Sequence, residues 1–105
     1  MSVQDTIRQQ VEGHPIVLYM KGSPQFPQCG FSATATQLLK MSGAENVFTV
    51  DVLQNPDIRE GIKTYANWPT IPQLYVNGEF VGGCDIMREM HQSGDLAKLI
   101  AAAKK

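Results

Sequence analysis

Leu74-Tyr75-Val76 and Glu79-Phe80-Val81 are separated only by Asn77-Gly78, and this stretch constrains the fold more than any other. A two-residue link between antiparallel strands favours turns with positive φ at both central positions, which Asn-Gly adopts at little cost. A β-hairpin is therefore expected, closed off by Gly82-Gly83. Earlier, Ile16-Val17-Leu18-Tyr19-Met20 is short, continuously apolar and rich in strand formers, as a strand buried on both faces should be. Asn46 to Val52 reads as another strand.

Helices fill the intervals. Ser2, followed by Asp5, has the form of a loose capping box, and Val3, Ile7 and Val11 then recur on one helical stripe, stopped by Gly13-His14-Pro15. A second helix is expected from near Cys29 to Met41, with Gly43 as its stop. Asn55-Pro56-Asp57 combines a cap, a proline at the first helical position and an acid in the first turn. Ile58, Ile62 and Tyr65 would be the buried face of that helix, and Gly61 costs it up to ~1 kcal/mol relative to Ala. Further helical patterns run from about Asp85 to His91 and from about Asp95 to Ala103. The order α-β-α-β-α-β-β-α-α combines a parallel β-α-β unit with an antiparallel hairpin. The expected architecture is α/β, a mixed four-stranded sheet with helices on both faces.

At 105 residues the chain is expected to be one domain, residues 1–105. A formal charge of -1 argues against nucleic acid or an anionic membrane as the main partner. No apolar run follows a basic N-terminus, and none approaches the ~18 residues of a spanning helix, so a cytoplasmic location is the expectation. There both cysteines, Cys29 and Cys84, should be thiols at rest, an internal disulfide being the alternative.

Cys29 follows a buried strand and a loop stiffened by Pro24 and Pro27, and it opens a helix. Unpaired N–H groups and the helix dipole favour an anion there. A free thiol of pKa ~8.5 is only a few per cent ionised at pH 7, and half ionisation takes roughly 2 kcal/mol. A helix N-terminus contributes ~0.3–1 kcal/mol when exposed and up to ~2 when partly buried, so a nearby cation such as Lys21 would supply the rest. The competing reading is a buried, inert thiol. Ser32 stands where a resolving thiol would be, and a hydroxyl cannot attack a mixed disulfide. An outside thiol, or the distant Cys84, would have to do so.

Cys29-Gly30-Phe31-Ser32, the preceding Tyr19-Met20-Lys21-Gly22, Trp68-Pro69-Thr70-Ile71-Pro72 and Gly82-Gly83-Cys84-Asp85 together resemble the CGFS-type monothiol glutaredoxins, above all their bacterial single-domain form. The resemblance implies a thioredoxin-like fold and a glutathione site. Lys21 and Arg59 would pair with the glycyl carboxylate. Ile71 would offer its backbone beside a cis peptide bond to Pro72. Cys84 and Asp85 would receive the γ-glutamyl end. Asp85 reads equally well as a helix cap, Trp68 as packing, Gly82-Gly83 as a strand end, and Lys63 as an idle neighbour of Arg59. His14 and His91 have no ligand spacing with the cysteines and read as surface or cap residues.

Four thiolates usually hold a [2Fe–2S] cluster, and this chain cannot supply four. The resemblance implies that two protomers and two glutathiones share it: Cys29 would be each chain's metal ligand, Gly30 would leave space beside the cluster, and the cluster-bound form would be a homodimer. Apo iron–sulfur proteins and a BolA-type protein are the partners it implies. The alternative is a glutathione-dependent oxidoreductase that deglutathionylates proteins through Cys29, and a chemically silent interaction domain is a third reading. Phe26, in the loop before Cys29, could shape a partner surface.

Overall fold

The central strand, β1 (Ile16–Met20), is buried at every residue because both of its neighbours and both of its faces are covered. A computed structural model describes residues 2–103. β1 pairs in parallel with β2 (Phe48–Asp51) and antiparallel with β3 (Gln73–Val76), which pairs with β4 (Glu79–Gly82), giving the order β2-β1-β3-β4. Side chains alternate across β1. Ile16, Leu18 and Met20 face Ala35, Leu38 and Leu39 of α2 (Gly30–Met41), Met87 of α4 (Cys84–Ser93), and Leu96 and Ile100 of α5 (Asp95–Ala102). Val17 and Tyr19 face Ile7 and Val11 of α1 (Val3–Gly13) and Ile62 of α3 (Pro56–Ala66). The expected element order, mixed sheet and two-sided helical cover are all present, and the fold is thioredoxin-like.

Local chemistry explains the boundaries. Ser2 Oγ accepts the Asp5 N–H at 3.1 Å and starts α1. Asn77 and Gly78 have φ of 52° and 84°, so the hairpin turn is the one their identities favour. Gly61 lets α1 and α3 approach: a Cβ there would lie 2.5 Å from Val3 Cγ1.

Three details differ from the sequence reading. β2 begins at Phe48, two residues past Asn46, whose φ of 57° is left-handed and cannot continue a strand. Asn55 is the N-cap residue of α3 as expected, but its side chain makes no capping bond, and its amide nitrogen donates back to Asp51 O at 3.0 Å. Asp85 is not an N-cap: Gly83 takes that place, α4 begins at Cys84, and the Asp85 carboxylate pairs with Arg88 at 3.4 Å.

Candidate functional site

β1 ends beside the turn that delivers Cys29. Gly22 has φ of +90°, and a Cβ there would sit 2.5 Å from Phe26 O, so the tight return of the loop requires glycine. Gln28 N–H donates to Lys21 O at 2.9 Å, and Ser23 and Phe26 exchange backbone bonds at 3.3 and 3.1 Å. Asp51 Oδ1, at the end of β2, accepts the Gly22 and Leu53 N–H groups at 2.9 and 3.0 Å. The loop is thus held by its own backbone and by a carboxylate from the neighbouring strand.

This brings Cys29 to the N-cap of α2 in extended conformation, half-buried and free. Burial resists ionisation of its thiol. The Ser32 and Phe31 N–H groups, the Ser32 hydroxyl and, last, the Lys21 ammonium outweigh it, and the pKa is lowered. The N–H groups face the sulfur without closing a full capping bond. Lys21 contributes as expected from the sequence, but less than the helix start does. Ser32 is fully buried, and its Oγ accepts the Lys21 N–H at 3.0 Å. It is a brace between β1 and α2 as well as the residue that replaces a second thiol.

Beside this turn lies a groove of about 370 Å³. Lys21, Arg59, Ile71, Pro72, Cys84 and Asp85, the six expected ligand residues, all line it. Cys29 does not, although Lys21 and Phe31 on either side of it do. The Ile71-Pro72 peptide bond is cis. Lys63, Trp68 and Ile86 also line the groove. Trp68 therefore both packs, with its ring tilted against Phe80 at 5.6 Å, and faces the groove.

The groove's cations are under-satisfied. Among the described residues neither Lys21 nor Arg59 forms an ion pair with a carboxylate, whereas Lys63 reaches Glu60 at 3.6 Å. Arg59 Nε is buried without a hydrogen-bond partner. Buried donors rarely stay unpaired, which marks this one as a place for an incoming acceptor. Cys84 is also free but buried. Burial raises its pKa, against the opposing charge of Arg88, whose Nη2 donates to Cys84 Sγ at 3.8 Å.

No group of three or more His, Cys, Asp or Glu among the described residues could hold a metal ion. His14 stacks on Phe48 at 3.9 Å, and His91 lies 3.4 Å from Ser42 Oγ, both away from Cys29. One chain thus offers a metal one accessible thiol, Cys29, since Cys84 is buried. Gly30 beside it is exposed, and a Cβ there would meet nothing within 4 Å, so the chain's own packing does not demand that glycine.

Sequence reasoning missed two residues that touch the site's walls: Asp51, which braces the loop before Cys29, and Gln73, whose amide donates to Trp68 O and Thr70 O. Their signals are faint: an acid closing a strand, and one amide in an otherwise apolar strand.

The glutaredoxin sequence profile matches residues 16–81. The chain is 58% identical over 96 residues to glutaredoxin 4 of Escherichia coli K12, covering 91% of this chain and 83% of that protein. It is 52% identical over 95 residues to the mitochondrial glutaredoxin-related protein 5 of Danio rerio, covering 90% of this chain but only 61% of that protein's length. The solution structure of reduced apo GrxS14 from poplar superposes with a TM-score of 0.82 at 46% identity, over 96% of this chain and 92% of that one. With a thiol at a helix N-cap, a cis-proline wall and these likenesses over most of its length, the chain belongs to the glutaredoxin family and within it resembles the bacterial glutaredoxin 4 type.

Proposed function

We propose that the chain binds glutathione in the groove beside Cys29 and that two copies, each with its glutathione, carry a [2Fe–2S] cluster between them for delivery to apo iron–sulfur proteins. Glutathione presents two carboxylates, an ammonium and a thiol. Lys21 and Arg59 suit a carboxylate, and the buried, unpartnered Arg59 Nε is the observation that carries this part of the reading. The Asp85 carboxylate suits the ammonium, with backbone N–H groups at the start of α4 for the second carboxylate. Ile71 and Pro72 supply backbone between them.

The cluster is cargo, and the thiolate count decides how it is held. Cys29 is the more accessible thiol and the one whose pKa is lowered, and in this reading the other three ligands come from two glutathiones and the Cys29 of a second copy. The open space at Gly30 suits a bulky group beside the sulfur. Such a pair would form with its cargo and part on delivery, directly to an apoprotein or through a BolA-type protein.

A second reading rests on the same thiolate. Cys29 can attack the mixed disulfide of a glutathionylated protein at the glutathione sulfur, releasing the protein thiolate and forming Cys29–glutathione. A further glutathione thiolate then reduces that bond to give glutathione disulfide. Anaerobic reconstitution with iron, sulfide and glutathione separates the two readings. A coloured dimer, lost with Cys29→Ser or without glutathione, is expected. A colourless monomer that rapidly turns over a glutathionylated peptide would overturn the carrier reading.

A further inference from the structure

Among the described residues, Gln73 and Ser32 are the fully buried polar ones. Gln73 follows Pro72, opens β3, and stands opposite Tyr19 in the sheet register. Its side-chain nitrogen donates to Trp68 O at 3.2 Å and to Thr70 O at 3.1 Å, and its carbonyl accepts the Tyr75 hydroxyl at 3.1 Å. The two carbonyls fix which way the amide points: they can only accept and must meet the NH2, which leaves the amide oxygen for the Tyr75 hydroxyl.

Those carbonyls belong to Trp68-Pro69-Thr70, a segment without regular structure that forms one wall of the groove. Trp68 is tied to the hairpin a second time, its ring against Phe80 at 5.6 Å and Phe80 in turn against Tyr75 at 5.4 Å. Backbone and ring of the same wall residue are thus both fixed from β3 and β4.

We propose that Gln73 is a positioning residue, holding the Trp68–Thr70 wall from within the core in the shape that receives the ligand. The inference rests on the reading that the groove takes glutathione. An irregular segment loses backbone freedom when it is ordered. Ordering it during folding removes that cost from binding. Neither residue of similar length and shape does the same at this position. Glutamate would set an oxygen against two carbonyl oxygens. Methionine has the length but no donor, so both carbonyls would turn to water and take the wall with them.

Gln73→Met and Tyr75→Phe test this in the full chain, with glutathione titrated calorimetrically well below the melting temperature. Trp68 is the chain's single tryptophan, so acrylamide quenching of its fluorescence reads the wall without ligand. Gln73→Met is expected to melt cooperatively, to bind glutathione about tenfold more weakly, and to be quenched more strongly. Tyr75→Phe keeps the ring and should move both readouts the same way by less. Cys29 does not line the groove, and its iodoacetamide labelling should stay within about twofold, which a general loosening of the site would not allow. A folded Gln73→Met protein with wild-type quenching and affinity overturns the inference. If that variant does not fold, unchanged quenching and affinity in Tyr75→Phe do so instead. Wild-type protein that fails to bind glutathione overturns the glutathione reading, while the quenching still decides whether Gln73 holds the wall.

Discussion

Cys29 and Cys84 both stand at helix N-termini, yet their thiols are pushed in opposite directions. Cys29, the N-cap of α2, is lowered although burial resists it. Cys84, the first residue of α4, is raised by burial although Arg88 opposes it. A helix dipole is common to both, so the dipole alone does not activate a thiol. Placement relative to the first turn does. An N-cap side chain in extended conformation meets the N–H groups of the second and third helical residues, here Phe31 and Ser32. A residue one place further on has already entered the helix, and its side chain is directed into packing. Exposure adds to the difference, since Cys29 is half-buried and Cys84 is buried.

The comparison is broken most directly by removing each thiol. Cys29→Ser is expected to abolish fast iodoacetamide labelling at pH 7, slowing the remaining reaction about tenfold or more, as suits a buried protonated thiol. Cys84→Ser should leave the fast phase intact. A fast phase that survives in Cys29→Ser would reverse the assignment of the reactive cysteine. Next in size is Ser32→Ala. It removes the acceptor of the Lys21 N–H and a hydroxyl facing Cys29. An orphaned buried donor costs about 1–3 kcal/mol, so chemical denaturation should show that loss together with slower labelling of Cys29 at pH 7. Lys21→Ala should slow labelling less than Ser32→Ala does, because the ammonium is the weakest of the groups that lower this thiol. Labelling-versus-pH curves that moved more for Lys21→Ala would put the cation ahead of the helix start.

Much of this contrast is legible in the amino-acid sequence, because its causes are local. Asn77-Gly78 names its own turn through the φ values its residues tolerate, and Ser2 names its cap through a bond three residues long. Cys29 at a strand-to-helix turn, with serine three residues on, already indicates the chemistry. The residues that are not legible act across the chain. Asp51 braces a loop 29 positions away, and which donors an acid will meet is not written beside it. Gln73 lies in a strand whose apolar neighbours announce burial but not the loop its amide will serve. Asn55 and Asp85 have cap-forming side chains and sit at helix starts, yet Asn55 occupies the cap position without a capping bond, and the Asp85 carboxylate lies inside α4 and pairs with Arg88. Local rules state what a side chain can do. Packing decides which offer it accepts.

The smallest expected effect is also the one that separates the two cysteines by sign. Ordinary thiols titrate near ~8.5, which serves as the unfolded reference. A thiol lowered in the fold contributes stability that is present above that pH and is lost as pH falls through its folded value. Cys29 is of this kind. Relative to Cys29→Ser, wild-type protein should therefore lose stability on going from pH 9 to pH 6. A thiol raised in the fold contributes stability that is present below the reference and is lost as pH rises through the folded value. Cys84 is of this kind. Relative to Cys84→Ser, wild-type protein should lose stability on going from pH 7 to pH 10. Urea unfolding of the three proteins in reductant across this range gives both differences. Opposite slopes are required if burial governs one thiol and the first turn of α2 the other; slopes of the same sign would mean that the two helix starts act alike.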